Sequence, residues 1–180
     1  MKIVLTILGC MVALVLGAVW FIYSGIYDVS ALHPDNPIVA WALHTTSDHS
    51  VDSRLGGIAE PPDLDKPEVI QSGAKFFGSH CVICHGGPGL LPSDVAQGLN
   101  PSPPNLFGAR RKNETVEMFY FILNGVKMTG MPAFGKTLPD SQVWALAAFL
   151  HKSPGITGKD FAALTGFGAD PAPDAAKAAP

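Results

Sequence analysis

Three side chains that can bind a metal or form covalent bonds lie together in Cys81-Val-Ile-Cys84-His85. Two thiols at this spacing can form half of a zinc site, a redox-active dithiol, or thioether bonds to the two vinyl groups on one edge of a porphyrin. In the third case, the histidine that directly follows the second thiol is placed to ligate the iron. The surroundings of the motif decide among these three kinds of site.

The rest of the sequence favours haem attachment. A structural zinc site needs four thiolate or imidazole ligands, and the other cysteine, Cys10, lies in an apolar run far from the motif. A thioredoxin-like dithiol follows a strand of a βαβ unit, whereas a helical pattern precedes Cys81. We therefore expect Cys81 and Cys84 to hold one covalent haem c, with His85 as an axial ligand of its iron.

A second axial ligand is expected downstream, and Met131 is the first candidate. It lies in the segment Thr129-Gly-Met-Pro-Ala-Phe-Gly135, where glycine and proline fix a loop between two predicted helices. Met128 and His151 are the alternatives. A methionine is usually a flexible core filler, so the loop is what distinguishes Met131. Histidine and methionine together fill both axial positions and raise the reduction potential of the iron, which suits one-electron transfer.

Three helical patterns position these residues. Asp65 is expected to cap the first helix, whose apolar positions recur at spacings of three and four as far as Cys81. Asn113 is expected to cap the second helix, which stops at Gly125. Pro139 opens the third.

No stretch alternates like a strand, so the expected fold class is all-α. Residues 86–109 form a long loop between the first two helices, and such a loop in a compact domain indicates a cofactor that it wraps. We expect four regions: a transmembrane anchor over residues 1–27, a linker over 28–64, a haem domain over 65–155 and a flexible tail over 156–180.

The expected anchor is a long uncharged run. From Ile3 to Tyr27 no residue is charged, and a helix of this length reaches about 37 Å, more than the ~30 Å hydrocarbon core. Trp20 and Tyr27 lie near its end, where aromatic residues contact the membrane interface. Lys2 precedes the run, which favours a single-pass protein of the bacterial inner membrane with the haem domain on the periplasmic side. A cleaved signal peptide is the alternative, and the length of the run disfavours it.

Residues 66–152 resemble class I cytochrome c. Four segments match in order: Gly73-x-x-x-Phe77-x-x-x-Cys81, Pro104-Asn-Leu106, Thr129-Gly-Met-Pro-Ala-Phe134 and Leu146-Ala-Ala-Phe149-Leu150. The resemblance implies a small domain of three main helices around one covalent haem. It also implies that the last helix crosses the first at Gly73, with Phe77 and Phe149 packed at the crossing, and that Met131 is the distal ligand.

The resemblance further implies that the Pro104 carbonyl accepts a hydrogen bond from the proximal histidine. The interval between His85 and Pro104 is longer than in the most compact members of the family. Pro88 and Pro92 are therefore alternatives for the residue that orients the imidazole.

Arg110 and Arg111 follow this proline closely. Guanidinium groups form paired hydrogen bonds with carboxylates, so both arginines suit the propionates of a haem. A solvated surface pair fits the same two residues equally well.

The sequence thus predicts an electron carrier rather than an enzyme. It contains no nucleophile elbow, phosphate loop or paired-carboxylate motif, and the net charge of −3 does not indicate a nucleic-acid partner. The expected partners are membrane lipid and redox proteins: a quinol-oxidising complex, a dehydrogenase or a terminal oxidase. The alternative is a haem enzyme or a gas or redox sensor, in which the methionine dissociates from the iron.

Overall fold

A computed structural model describes residues 1–168, and this part of the chain contains helices and no strand. The predicted all-α class is thus confirmed. The helices are α1 (Lys2–Tyr23), α2 (Pro37–Leu55), α3 (Pro67–Phe76), α4 (Val82–His85), α5 (Asp94–Gln97), α6 (Thr115–Asn124), α7 (Asp140–Lys152) and α8 (Gly158–Thr165). A π-helical turn, Phe77–Cys81, joins α3 to α4, and a 3₁₀ turn, Phe134–Lys136, precedes α7.

Residues 1–33 form a compact unit of their own, and α1 is its main element. Among residues 1–168, α1 is the one helix long and apolar enough to cross a membrane. Its 22 residues span about 33 Å, and none of them is buried. These properties are consistent with a single-pass anchor.

The core of the second unit forms where α7 crosses α3. A Cβ atom at Gly73 would clash with the backbone carbonyl of Ala145, so the absence of a side chain is what allows the two helices to touch. Phe77 and Phe149 are each 1% exposed, and their ring centroids lie 5.6 Å apart beside this contact. The predicted crossing is confirmed. Gly125 ends α6 and Pro139 precedes α7, also as predicted.

Asp65 does not cap α3, which corrects the sequence prediction. The N-cap residue is Lys66, and it makes no side-chain hydrogen bond to the helix. The Asp65 carboxylate lies 2.7 Å from the Lys152 ammonium at the end of α7. The hydrogen bond and charge of Lys152 hold the pKa of Asp65 below its usual value. Asp65 therefore pairs with Lys152, which is distant in sequence, instead of capping the start of α3.

Asn113 does not cap α6 either, since Glu114 occupies that position. Asn113 is 2% exposed, and its side-chain amide donates hydrogen bonds of 2.9 Å and 2.8 Å to the carbonyls of Leu106 and Leu150. Backbone carbonyls buried away from water must be paired. The asparagine therefore bridges the segment at Leu106 to α7 at Leu150, instead of capping the start of α6.

Helices also form on both sides of the predicted haem domain. The predicted linker contains α2, which packs against α6 and buries Val51. The predicted flexible tail, residues 156–180, begins with the helix α8. Phe161 of α8 is 1% exposed, and burial of its ring stabilises a helix that the Ala- and Gly-rich composition did not indicate. The rest of the predicted tail, residues 169–180, lies outside the described residues.

We predict that Gly73→Ala destabilises the second unit by about 1–3 kcal/mol, the usual cost of overpacking a core, because the new methyl group forces α3 away from α7. Urea unfolding of the full chain in detergent, followed by circular dichroism, measures this loss. Gly57→Ala is the matched control, since a Cβ there meets no atom within 4 Å. Equal stability of the two variants would contradict the close contact.

Candidate functional site

The motif Cys81–His85 lies at the end of the helical segment that runs from α3 through the π turn to α4. The π turn widens the helix and ends at Cys81, which carries the first thiol, and α4 carries the second thiol and the histidine. Turns of this kind are rare and occur frequently at functional sites. Gly86, with φ of 62°, then ends α4, so the chain changes direction directly after His85.

Both thiols of the motif are free and half-buried. Burial, aided by the neighbouring Cys84, raises the pKa of Cys81 to about 12. Burial thus disfavours the charged thiolate form of Cys81. Within residues 1–168 no group of three or more His, Cys, Asp or Glu side chains is arranged to hold a metal ion.

The imidazole of His85 is oriented by a backbone carbonyl. Its Nδ1 lies 3.1 Å from the carbonyl oxygen of Pro104. A carbonyl can only accept, so Nδ1 carries the proton and Nε2 keeps a free lone pair. Burial lowers the pKa of His85, and the charge of Arg111 acts in the same direction against the hydrogen bond to Pro104. The ring is therefore neutral and fixed in orientation, which is the form that ligates a metal.

The other two prolines considered from the sequence have different neighbours. The Pro92 carbonyl accepts a 3.0 Å hydrogen bond from the side chain of Gln97. The Pro88 carbonyl lies beside Gly158, at the start of α8. In the described part of the chain, Pro104 is thus the proline whose carbonyl reaches His85.

The two methionines of the downstream loop have opposite environments. Met131 is half-buried and packs against the core, whereas Met128 is 92% exposed, with φ of 60°. Two hydrogen bonds of 3.1 Å fix the backbone of Met131: its carbonyl accepts from the Val126 N–H, and its own N–H donates to the Thr129 hydroxyl. Only one of the two methionines is thus held by the protein.

Two glycines place this loop against its neighbours. Gly125, with φ of 65°, lies so close to the loop that a Cβ atom there would be 2.6 Å from the carbonyl carbon of Pro132. A Cβ at Gly130 would be 2.8 Å from the side chain of Leu99. The long loop that leaves His85 therefore touches the loop that carries Met131.

His151, the third candidate for the distal ligand, has a structural partner. Its Nδ1 lies 2.8 Å from the backbone carbonyl of Asn113, to which it donates. The residue belongs to the last turn of α7, next to the Lys152–Asp65 ion pair. This contact joins the end of α7 to the segment before α6.

Arg110 and Arg111 differ in burial, as Met128 and Met131 do. Arg110 is exposed, whereas Arg111 is half-buried and its Nε donates a 2.7 Å hydrogen bond to the side-chain oxygen of Asn113. The charge of Arg111 acts on His85, and it also opposes the burial that raises the pKa of Glu117. Arg111 is thus the arginine that the fold brings near the imidazole.

The donor groups fit a covalently attached haem. A porphyrin supplies four nitrogen ligands, so the protein needs to provide only an imidazole and one further ligand. His85 offers a free Nε2, Met131 offers a half-buried thioether, and Cys81 and Cys84 are free thiols directly before the histidine.

Sequence reasoning missed the bridging role of Asn113, the contact of Leu99 with the methionine loop, and the helix α8. Thr157 and Asp160 were the one available signal for α8, because a threonine followed three residues later by an acidic residue indicates a helix start. In the structure the Thr157 hydroxyl accepts a 3.1 Å hydrogen bond from the Asp160 N–H. The bridging role of Asn113 and the contact of Leu99 both depend on segments distant in sequence, which no local pattern indicates.

Comparison with known families agrees with this geometry. Residues 68–150 match the family model described as cytochrome c oxidase, cbb3-type, subunit III. No curated protein and no solved structure matches the chain significantly. The matched range contains Cys81, Cys84, His85, Pro104 and Met131, while α2 and α8 lie outside it. By this match and by its helical fold, the domain at residues 68–150 belongs to the class I c-type cytochromes.

Proposed function

We propose that the protein is a membrane-tethered monohaem cytochrome c that carries single electrons between redox proteins on the periplasmic side of the bacterial inner membrane. The cytochrome c domain implies electron transfer rather than catalysis. The observation that carries the proposal is the state of His85: its Nδ1 is bound to the Pro104 carbonyl and its Nε2 is free, directly after two free thiols.

In this proposal each residue of the site has a defined task. Cys81 and Cys84 hold the haem through thioether bonds, and His85 Nε2 and the Met131 sulfur are the two axial ligands. The haem supplies a reversible one-electron couple between ferric and ferrous iron. Pro104 fixes the tautomer and the plane of the imidazole, so the ligand does not have to reorient when the charge on the iron changes.

The apolar helix α1 supports a tether. A tethered domain is concentrated near other membrane proteins without any additional contact. The family description names an oxidase subunit, so a terminal oxidase is the first partner to test, beside a quinol-oxidising complex or a dehydrogenase. Three exposed lysines lie before α6, after α6 and in the 3₁₀ turn before α7. Their charges can steer an acidic partner: Lys112, Lys127 and Lys136.

The second candidate is a haem enzyme or sensor that opens the iron by releasing the methionine. The hydrogen bonds that fix Met131 on both sides of its Cα favour a ligand that stays bound. A carrier should therefore not bind added ligands such as cyanide or carbon monoxide strongly. Strong binding to the unmutated protein would favour the enzyme or sensor instead.

Met131→Ala should abolish the methionine-to-iron charge-transfer band of the oxidised protein, because it removes the axial sulfur. The full chain should first show one covalent haem, by mass and by the spectrum of its pyridine derivative after denaturation. Met128→Ala is the matched control, since this side chain is 92% exposed, and the band should remain. The reverse pattern would assign the distal ligand to Met128.

Arg111→Gln should lower the reduction potential of the haem, because a nearby positive charge favours the ferrous state. The expected effect is on the order of 1 kcal/mol, the scale of one charge acting through the effective dielectric of a protein surface. Spectroelectrochemical titration measures it. Arg110→Gln is the control, since Arg110 is exposed and should leave the potential almost unchanged. A larger shift for Arg110 than for Arg111 would contradict the proposed electrostatic role.

The proposed topology places residues 34–168 outside the cytoplasm. Protease added to spheroplasts should therefore digest the haem domain, and protease added to inverted membrane vesicles should not. Digestion only in inverted vesicles would overturn the orientation. Recovery of the domain in the soluble fraction, without residues 1–27, would show that the apolar segment is a cleaved signal peptide.

A further inference from the structure

The helix α8 lies outside the matched cytochrome domain, yet it is part of the same core. Phe161 is 1% exposed, and its ring packs edge-to-face against Phe77 and Phe107, with centroids 6.1 Å and 5.1 Å apart. Contacts of this geometry stabilise aromatic clusters beyond simple burial. α8 is therefore fixed in place, and its contacts with the rest of the domain are specific.

The first of these contacts lies just before the haem-attachment motif. A Cβ atom at Gly78 would be 2.5 Å from the backbone carbonyl oxygen of Thr165 and 2.9 Å from its Cβ. Gly78 is the second residue of the π turn, three residues before Cys81. Thr165 is buried, and its hydroxyl donates a 2.7 Å hydrogen bond to the carbonyl of Phe161. The end of α8 thus rests directly on the backbone of the π turn.

The second contact lies just after the motif. A Cβ atom at Gly87 would be 2.6 Å from the ring of Phe161, and the nearest atoms are at the far end of that ring. Gly87 follows His85 by two residues, beyond Gly86, whose φ of 62° makes the sharp change of direction. One buried face of α8 therefore touches the chain on both sides of Cys81–His85.

We propose that α8 is a positioning element for the haem-attachment segment, in which Thr165 and Phe161 hold the chain at Gly78 and Gly87. The inference rests on the proposed function, because it concerns the residues that hold the haem. A π turn and a left-handed glycine flank the motif, and such conformations persist when surrounding contacts enforce them. With both flanks held, α4 keeps the orientation in which His85 meets the Pro104 carbonyl.

The test is a double-mutant cycle in the full-length chain. Gly87→Ala should displace the segment after His85, and we expect a loss of the methionine-to-iron charge-transfer band and a shift in reduction potential. Phe161→Leu removes the ring atoms that the new methyl group meets. Because the ring is proposed to hold this segment, Phe161→Leu alone should also shift both signals, and the double variant should lose less than the sum of the two single variants. A purely structural role of α8 would change the melting temperature of Phe161→Leu and leave its band and potential unchanged.

Two matched controls accompany the cycle. Gly108→Ala adds a methyl group where no atom lies within 4 Å, and Phe167→Leu makes the same side-chain change at a residue that is 42% exposed. Both should keep the unmutated band and potential. The inference is overturned if Gly87→Ala resembles the controls, or if Phe161→Leu alone keeps the unmutated band and potential. Absence of covalent haem from the unmutated chain would instead overturn the proposed function, and the inference with it.

Discussion

The backbone contact between α3 and α7 at Gly73 is the constraint on which the second unit depends. Because no Cβ separates the helices, α3 is held at a fixed distance and angle from the most buried helix of the domain. The π turn and α4 continue from α3, so this contact also determines where the two thiols and His85 lie. The position of the motif thus follows from the core contact, and the Pro104 carbonyl in the following loop then orients the imidazole of His85.

The same helix α7 fixes the group that orients the histidine. Asn113 links the carbonyl of Leu106, two residues after Pro104, to the carbonyl of Leu150 on α7. The positions of His85 and of the Pro104 carbonyl therefore both depend on α7. Replacing a buried amide that pairs with two carbonyls destabilises the fold, because each buried carbonyl left unpaired costs about 1–3 kcal/mol of stability.

The parts that the sequence predicted well are those with local signals. The Gly125 stop and the Pro139 start follow from turn chemistry, whereas the helix crossing at Gly73 was implied by the resemblance to class I cytochrome c. Asp65 and Asn113 also have local capping signals, but in the folded protein their side chains bind partners distant in sequence instead of capping a helix. The His85–Pro104 hydrogen bond joins residues 19 positions apart, so residues alone left three prolines open and the folded backbone singles out one.

Electron transfer requires that the groups around the iron change little when its charge changes. In the proposed carrier, a backbone carbonyl holds the imidazole of His85, and hydrogen bonds at the N–H and the carbonyl fix the backbone of Met131. The nearby charges are held as well. The Arg111 guanidinium is tied to Asn113, and its field acts on both His85 and the half-buried Glu117. A fixed positive charge of this kind favours the reduced state without adding a group that must move.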